Sequence, residues 1–212
     1  MISGAVATSV TTSMGEGLAG VPQDEGLRAN TYSLLAALLA APPAKPLIQL
    51  LTQITPAVGG GDDLAAAWEV LRLAGERASV ESLDDEYHEL FVGMGRGELV
   101  PYGSWYMTGF LMDQPLAILR RDLAELGFER QEDTKEPEDH VAALLETMGL
   151  LIGESDATVD VQRRFFQSHM APWMNTFFLD LQKAQAARFY RAVGQFGEQF
   201  IGFEGKYLTM LV

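Results

Sequence analysis

Apolar residues recur at helical spacing from about residue 25 to near the end of the chain. Leu27, Thr31, Leu34, Leu35 and Leu38 follow the period of one helix. Pro42, Pro43 and Pro46 stop it and start a short second one. Gly59-Gly60-Gly61 reads as a loop. Asp62 is then the expected N-cap of a helix striped by Leu64, Trp68, Leu71, Ala74 and Ala78. Ser82 is expected to cap the next, with Leu83, Tyr87, Leu90 and Phe91 inward. Gly93 to Ser104 carries four glycines and Pro101 and reads as a loop. Asp113-Gln114-Pro115 opens another helix with proline near its first position, and Gly127 closes it. Phe128 to Lys135 is a charged link. Pro137 is expected to start the clearest helix, with Val141, Leu144, Leu145, Met148, Leu151 and Ile152 on one stripe. Val161, Phe165 and His169 share a face of the next. After Pro172 come Phe177, Phe178 and Leu181, then Phe189, Val193, Phe196 and Phe200. There is no strand alternation and no fixed-period repeat. The pattern predicts an all-α chain of roughly eight to ten helices in one bundle-like domain over residues 25–212.

Length and apolar content agree with that. A chain of 212 residues that is 48% apolar suits one domain with a sizeable core. Residues 1–24 depart from the pattern. Met1 to Val21 is rich in Gly, Ala, Ser and Thr and has no Lys or Arg. It lacks the basic start and continuous apolar stretch of a secretory signal, so it reads as a disordered N-terminal tail, and a cytoplasmic location is expected. No apolar run approaches the ~20 residues that span a bilayer.

Charge narrows the partners. Lys+Arg is 15 and Asp+Glu is 29, giving a net −14. Nucleic-acid binding and attachment to an anionic membrane surface would want the opposite sign. A partner with a basic segment is favoured. With no cysteine, disulfides, thiolate catalysis and Cys-ligated metals are excluded.

Candidate chemistry is thin for an enzyme. The histidines are His88, His140 and His169. Asp85-Glu86-Tyr87-His88 offers one loose Asp-x-x-His where a di-iron bundle wants two Glu-x-x-His motifs, so no metal and no cofactor is expected. Gly93-Met94-Gly95-Arg96-Gly97 lacks the phosphate-loop form and follows no strand. His88 reads as a surface residue and His169 as a hydrogen-bonded core residue. Two stretches stand out. Glu136-Pro137-Glu138-Asp139-His140 is either a helix start whose acids complement the dipole or a concentrated anionic site with His140 as donor or acceptor. Val100-Pro101-Tyr102-Gly103-Ser104-Trp105-Tyr106 either seals the core beneath a loop or forms an amphipathic wall for a peptide.

Taken in order, these segments resemble a known family. Glu86-Tyr87-His88-Glu89-Leu90-Phe91-Val92-Gly93, Pro101-Tyr102-Gly103-Ser104 and Glu136-Pro137-Glu138-Asp139-His140 follow the order and spacing of the TorD/DmsD/NarJ redox-enzyme maturation proteins. Phe165 to Trp173 and the helix through Phe189-Tyr190 look similar as well. The resemblance covers about Leu27 to Leu208. It implies a TorD-like all-helical fold and a cytoplasmic chaperone, not an enzyme. Such a chaperone binds the twin-arginine leader, or a related N-terminal segment, of a molybdenum-cofactor enzyme. It assists cofactor insertion and delays export until folding is complete. The resemblance places the peptide groove at Pro101, Tyr102, Gly103, Ser104, Trp105, Glu136, Pro137, Asp139 and His140, with Tyr87, Leu90 and Phe91 supporting or lining it. It also implies a monomer or a domain-swapped homodimer, for which the Phe128–Lys135 link is a reasonable hinge. Tyr102 stands where many relatives of the dimethyl-sulfoxide-reductase type carry tryptophan. The run Tyr102 to Phe110 looks closer to members associated with formate dehydrogenases. From another class, a helical metal- or nucleotide-dependent enzyme predicts stoichiometric metal or nucleotide turnover. A general helical adaptor predicts basic partners that lack any leader.

Overall fold

The computed structural model describes residues 23–53, 61–93, 96–129, 136–153 and 157–210. Among them are ten α-helices and no strand. In chain order these are α1 Gln23–Ala40, α2 Lys45–Gln53, α3 Asp62–Arg77, α4 Val80–Tyr87, α5 Gly103–Thr108, α6 Gln114–Glu125, α7 Val141–Gly153, α8 Val159–Phe165, α9 Met174–Lys183 and α10 Phe189–Met210. Two of them change pitch at their ends. α4 runs into a π turn at His88–Val92, and α8 into another at Phe166–Met170. No helix of the described residues is long and apolar enough to cross a membrane.

The core is built around α7, α1 and α10. α7 is buried on nearly all sides, through Val141, Ala142, Leu144, Leu145, Met148, Leu151 and Ile152. A helix apolar all round belongs inside a bundle. α1 lies along it as the most extensive helix pair, and α9 and α3 pack against α10. Phe177, Phe178, Phe196 and Phe200 fill the space between, all buried.

Two polar networks pin this packing. Arg28 of α1 forms a two-pronged ion pair with Glu204 of α10, at 2.8 and 2.7 Å. It also donates to Gln162 of α8 at 3.3 Å. Tyr32 donates to the same Glu204 carboxylate at 3.1 Å. The Arg28 guanidinium lies over the Tyr207 ring. The second network starts from α10. Its first turn has free backbone N–H groups, and Glu86 of α4 reaches across to take those of Arg188, Phe189 and Tyr190 at 2.7, 3.1 and 2.8 Å.

Several helix starts differ from expectation. The N-cap of α3 is Gly61, and Asp62 is its first helical residue. The N-cap of α4 is Ser79; Ser82 sits three residues on and completes a capping box with it. α7 starts at Val141, not at Pro137. The stretch Pro137–His140 is a turn, because Asp139 and His140 are committed to the segment at residues 101–104. The expected domain boundary after residue 24 falls inside α1. Residues 1–22, the Gly59-Gly60 part of the glycine loop and residues 130–135 of the proposed hinge lie outside the described residues.

Candidate functional site

Two segments thirty-odd residues apart are zipped together at the N-termini of α5 and α7. Tyr102 and His140 form an isolated antiparallel bridge. Val141 donates its N–H to the Pro101 carbonyl at 2.8 Å, and Gly103 to the Asp139 carbonyl at 2.9 Å. Tyr102, the N-cap of α5, supplies no side-chain acceptor. Asp139 does so instead: its Oδ2 accepts the Ser104 N–H at 2.8 Å. A carboxylate there meets the positive end of the helix. Of the two readings open for residues 136–140, the helix-start version fails in form. Asp139 does cap a helix, but the cap is on α5.

The outer face of this junction is polar. The Tyr102 hydroxyl donates to Glu136. Burial, and then the Glu136 carboxylate, hold Tyr102 above its ordinary pKa, so it stays a donor. Tyr87 stands in the field of the same carboxylate. Burial first and Glu136 second push it up to about 12. The His140 ring lies edge-on to Tyr102 at 5.1 Å and is only 8% exposed. Its Nδ1 accepts the Ala142 N–H at 3.2 Å. Burial lowers its pKa to about 4, against the opposing pull of Glu136 and Asp139. The ring is therefore neutral near pH 7 and carries its proton on Nε2, which makes Nε2 a hydrogen-bond donor.

The other face is apolar. Gly103 sits against the Trp173 indole, where a Cβ would lie 3.0 Å from Nε1. Trp173 donates to the His169 carbonyl at 2.8 Å and stacks on Tyr106. Beyond α5 the chain turns at Gly109, and Met107, Phe110, Leu111 and Met112 are exposed. Phe110 is 70% and Met112 72% exposed, and Ile118 of α6 adds to them. Met112 has a φ of 57°, an uncommon conformation for an unbranched apolar residue. Its N–H is tied to Ser104 Oγ at 3.2 Å. A cavity of about 220 Å³ opens between α5, α6 and the π turn after α8. Met107 and Ile118 line this cavity and are themselves exposed.

The residues expected at the site separate into three groups. Pro101, Tyr102, Gly103, Ser104, Glu136, Pro137, Asp139 and His140 come together. Pro101, Gly103 and Ser104 are buried, so they serve as scaffold. Tyr87, Leu90 and Phe91 pack with the core. Leu90 is fully buried, Tyr87 donates to the Leu39 carbonyl at 3.3 Å, and Phe91 packs on Tyr87 and Tyr190. Trp105 is half-buried with the Arg96 guanidinium over its ring at 4.4 Å. His88 is a surface residue bonded to the Asp84 carbonyl, and His169 is buried and bonded to Asp122 at 2.9 Å. The exposed segment Met107–Met112 was missed. Its signal was present, in apolar residues set around a glycine turn instead of a helical period.

Gly97 has a packing explanation. A Cβ at Gly97 would lie 2.5 Å from the Leu90 carbonyl oxygen, because Leu99 and Glu98 hydrogen-bond back onto the π turn. Among the described residues, no group of three or more acidic or histidine side chains is placed to hold a metal ion.

Comparison with known proteins agrees with this architecture. Residues 60–179 match the family model described as nitrate reductase delta subunit. The chaperone protein TorD of Vibrio atlanticus is 28% identical over 145 residues, 63% of this chain and 67% of that protein. A Tat proofreading chaperone, DmsD, of Haemophilus influenzae is 26% identical over 122 residues, 56% of this chain and 58% of that protein. A solved redox enzyme maturation protein from Archaeoglobus fulgidus superposes with a TM-score of 0.57 at 16% identity, covering 85% of this chain and 94% of the other. That likeness shows the all-helical fold. The family match spans more than half of the sequence, and the chain belongs to the nitrate reductase delta subunit family, alongside the TorD and DmsD maturation chaperones.

Proposed function

We propose that this chaperone binds the twin-arginine leader, or a related N-terminal segment, of an apo-molybdoenzyme in the cytoplasm. It holds that segment while cofactor is inserted and delays export. One observation carries the reading. The Tyr102–His140 bridge sets a polar, anionic corner one short helix away from the exposed apolar segment Met107–Met112. A leader has the matching order, a basic start followed by an apolar stretch. The apolar part supplies affinity, at ~25 cal/mol per Å² buried before association costs. Glu136, Tyr102 and the His140 Nε2–H orient the polar part. The net charge of −14 speeds encounter with a basic segment.

The test is calorimetric titration with leader peptides of molybdoenzymes from the same organism. Saturable binding is expected, lost when the apolar stretch of the peptide is made polar. Capture only of basic partners without any leader would support a general adaptor instead. The kinship with chaperones weighs against the helical-enzyme alternative. A monomer and a homodimer exchanging elements at residues 128–135 are both compatible with one binding corner per chain.

A further inference from the structure

The chain has no cysteine and nine methionines, so its reactive sulfur is all thioether. The methionines of the described residues fall into two classes. Met148, Met170 and Met174 are fully buried in the core. Met107, Met112 and Met210 are 43%, 72% and 77% exposed. Met210 is the last residue of α10. Met107 and Met112 instead flank Phe110 in the exposed apolar segment. Met112 is held in place there. Its N–H is bonded to Ser104 Oγ, and Asp113 beside it caps α6. The backbone is thus tied on both sides while the thioether stays open to solvent. A thioether is apolar, soft and suited to irregular contacts. A two-electron oxidant turns it into a sulfoxide, which is polar and chiral.

We propose that Met107 and Met112 form an oxidation site that turns client binding off: a peroxide converts them to sulfoxides, and the client's apolar stretch no longer seats on them. The sulfur lone pair attacks one peroxide oxygen, and the O–O bond breaks as the S–O bond forms. With hydrogen peroxide, sulfur gives up two electrons and keeps the transferred oxygen. The other oxygen takes that oxygen's proton and leaves as water. Covering the sulfoxide with an apolar stretch then buries an acceptor without a donor, which is costly. Packing shields the three core methionines, so the chain stays folded. The inference rests on the reading that a client's apolar stretch covers this segment, and adds a chemical modification that releases it.

The test treats the full chain with hydrogen peroxide, removes the peroxide and maps each methionine by mass spectrometry. A methionine-free molybdoenzyme leader peptide is titrated by calorimetry before and after treatment, with both melting curves recorded. Met107 and Met112 should convert while Met148, Met170 and Met174 stay reduced. Affinity should fall at least tenfold at a nearly unchanged melting temperature. Methionine sulfoxide reductases for both epimers should restore it. Bound leader should slow conversion at Met107 and Met112 and leave Met210 unprotected. Leucine is close to methionine in volume and has no sulfur. Met107→Leu/Met112→Leu, whatever its own starting affinity, should therefore bind equally before and after peroxide. Met210→Leu should stay as sensitive as the natural chain. Full conversion at Met107 and Met112 with affinity unchanged overturns the proposal. So does an equal loss in Met107→Leu/Met112→Leu, which would place the damage elsewhere. In either case, binding by the untreated chain leaves the client-binding reading standing. If the untreated chain binds no leader, both fail.

Discussion

Buried and neutral, His140 ties stability to pH. Its pKa is about 4 in the folded chain and near 6.5 once unfolded. The unfolded state therefore binds more protons between those values, and stability rises with pH across them. The contribution is fully present above about 6.5 and is lost as pH falls through about 4, with a size on the order of 3 kcal/mol. His169 is also held below its ordinary value, by burial against the pull of Asp122, and acts in the same sense. Urea unfolding at pH 7.5 and 4.5 should show a large acid loss for the natural chain. It should shrink by half or more in His140→Asn, where His169 remains. Parallel pH dependence in the two proteins would show that His140 is not the group titrating. Residue identity at this corner was legible before the fold was known, because Glu136-Pro137-Glu138-Asp139-His140 concentrates acids and a histidine. The use of Asp139 was not. Its partner is a backbone N–H at Ser104, and a contact across that many residues leaves no trace in local spacing.

Elements show the same division between near and far. The stripes of α1, α7 and α10 follow from helical periodicity, and Asp113 caps α6 as its sequence suggests. Asp62 and Ser82 misled because each stands close to the true cap and has a suitable side chain. Pro137 misled because proline opens turns as readily as helices. The distant caps were hidden in the same way, and they give sharp predictions. Glu86→Ala leaves three N–H groups at the start of α10 without their acceptor. The loss should be roughly 3 kcal/mol or more in chemical unfolding, and Glu86→Gln should recover part of it. A loss within a few tenths of a kcal/mol would mean that water replaces the carboxylate. The Arg28–Glu204 pair is buried on both sides. Arg28→Ala should cost about 3–5 kcal/mol, by stranding Glu204. Arg28→Met with Glu204→Leu should be much closer to the natural chain, since neither charge is then stranded. A double variant as damaged as the sum of its parts would contradict that.

Across the whole molecule, the proposed function assigns charge and the exposed apolar segment to different stages of recognition. On that reading the excess of acids would steer a basic segment from a distance. Association with a leader peptide should slow as salt rises, with a smaller change in dissociation. Rates measured by stopped flow between 50 and 500 mM salt check this, and a salt-insensitive on-rate would remove the steering role. The apolar segment would act on contact. Phe110 and Met112 are mostly exposed, so replacing both with serine should leave the melting temperature nearly unchanged. Their burial against a peptide is worth about 2–3 kcal/mol together, or tenfold or more in affinity. The most direct measurement is therefore calorimetric titration of leader peptides into the natural chain and into Phe110→Ser/Met112→Ser, with both melting curves recorded. Client binding beside the Tyr102–His140 bridge predicts saturable binding that weakens at least tenfold in the variant at equal stability. Equal affinity in the two proteins, or no saturable binding of any leader, would contradict it.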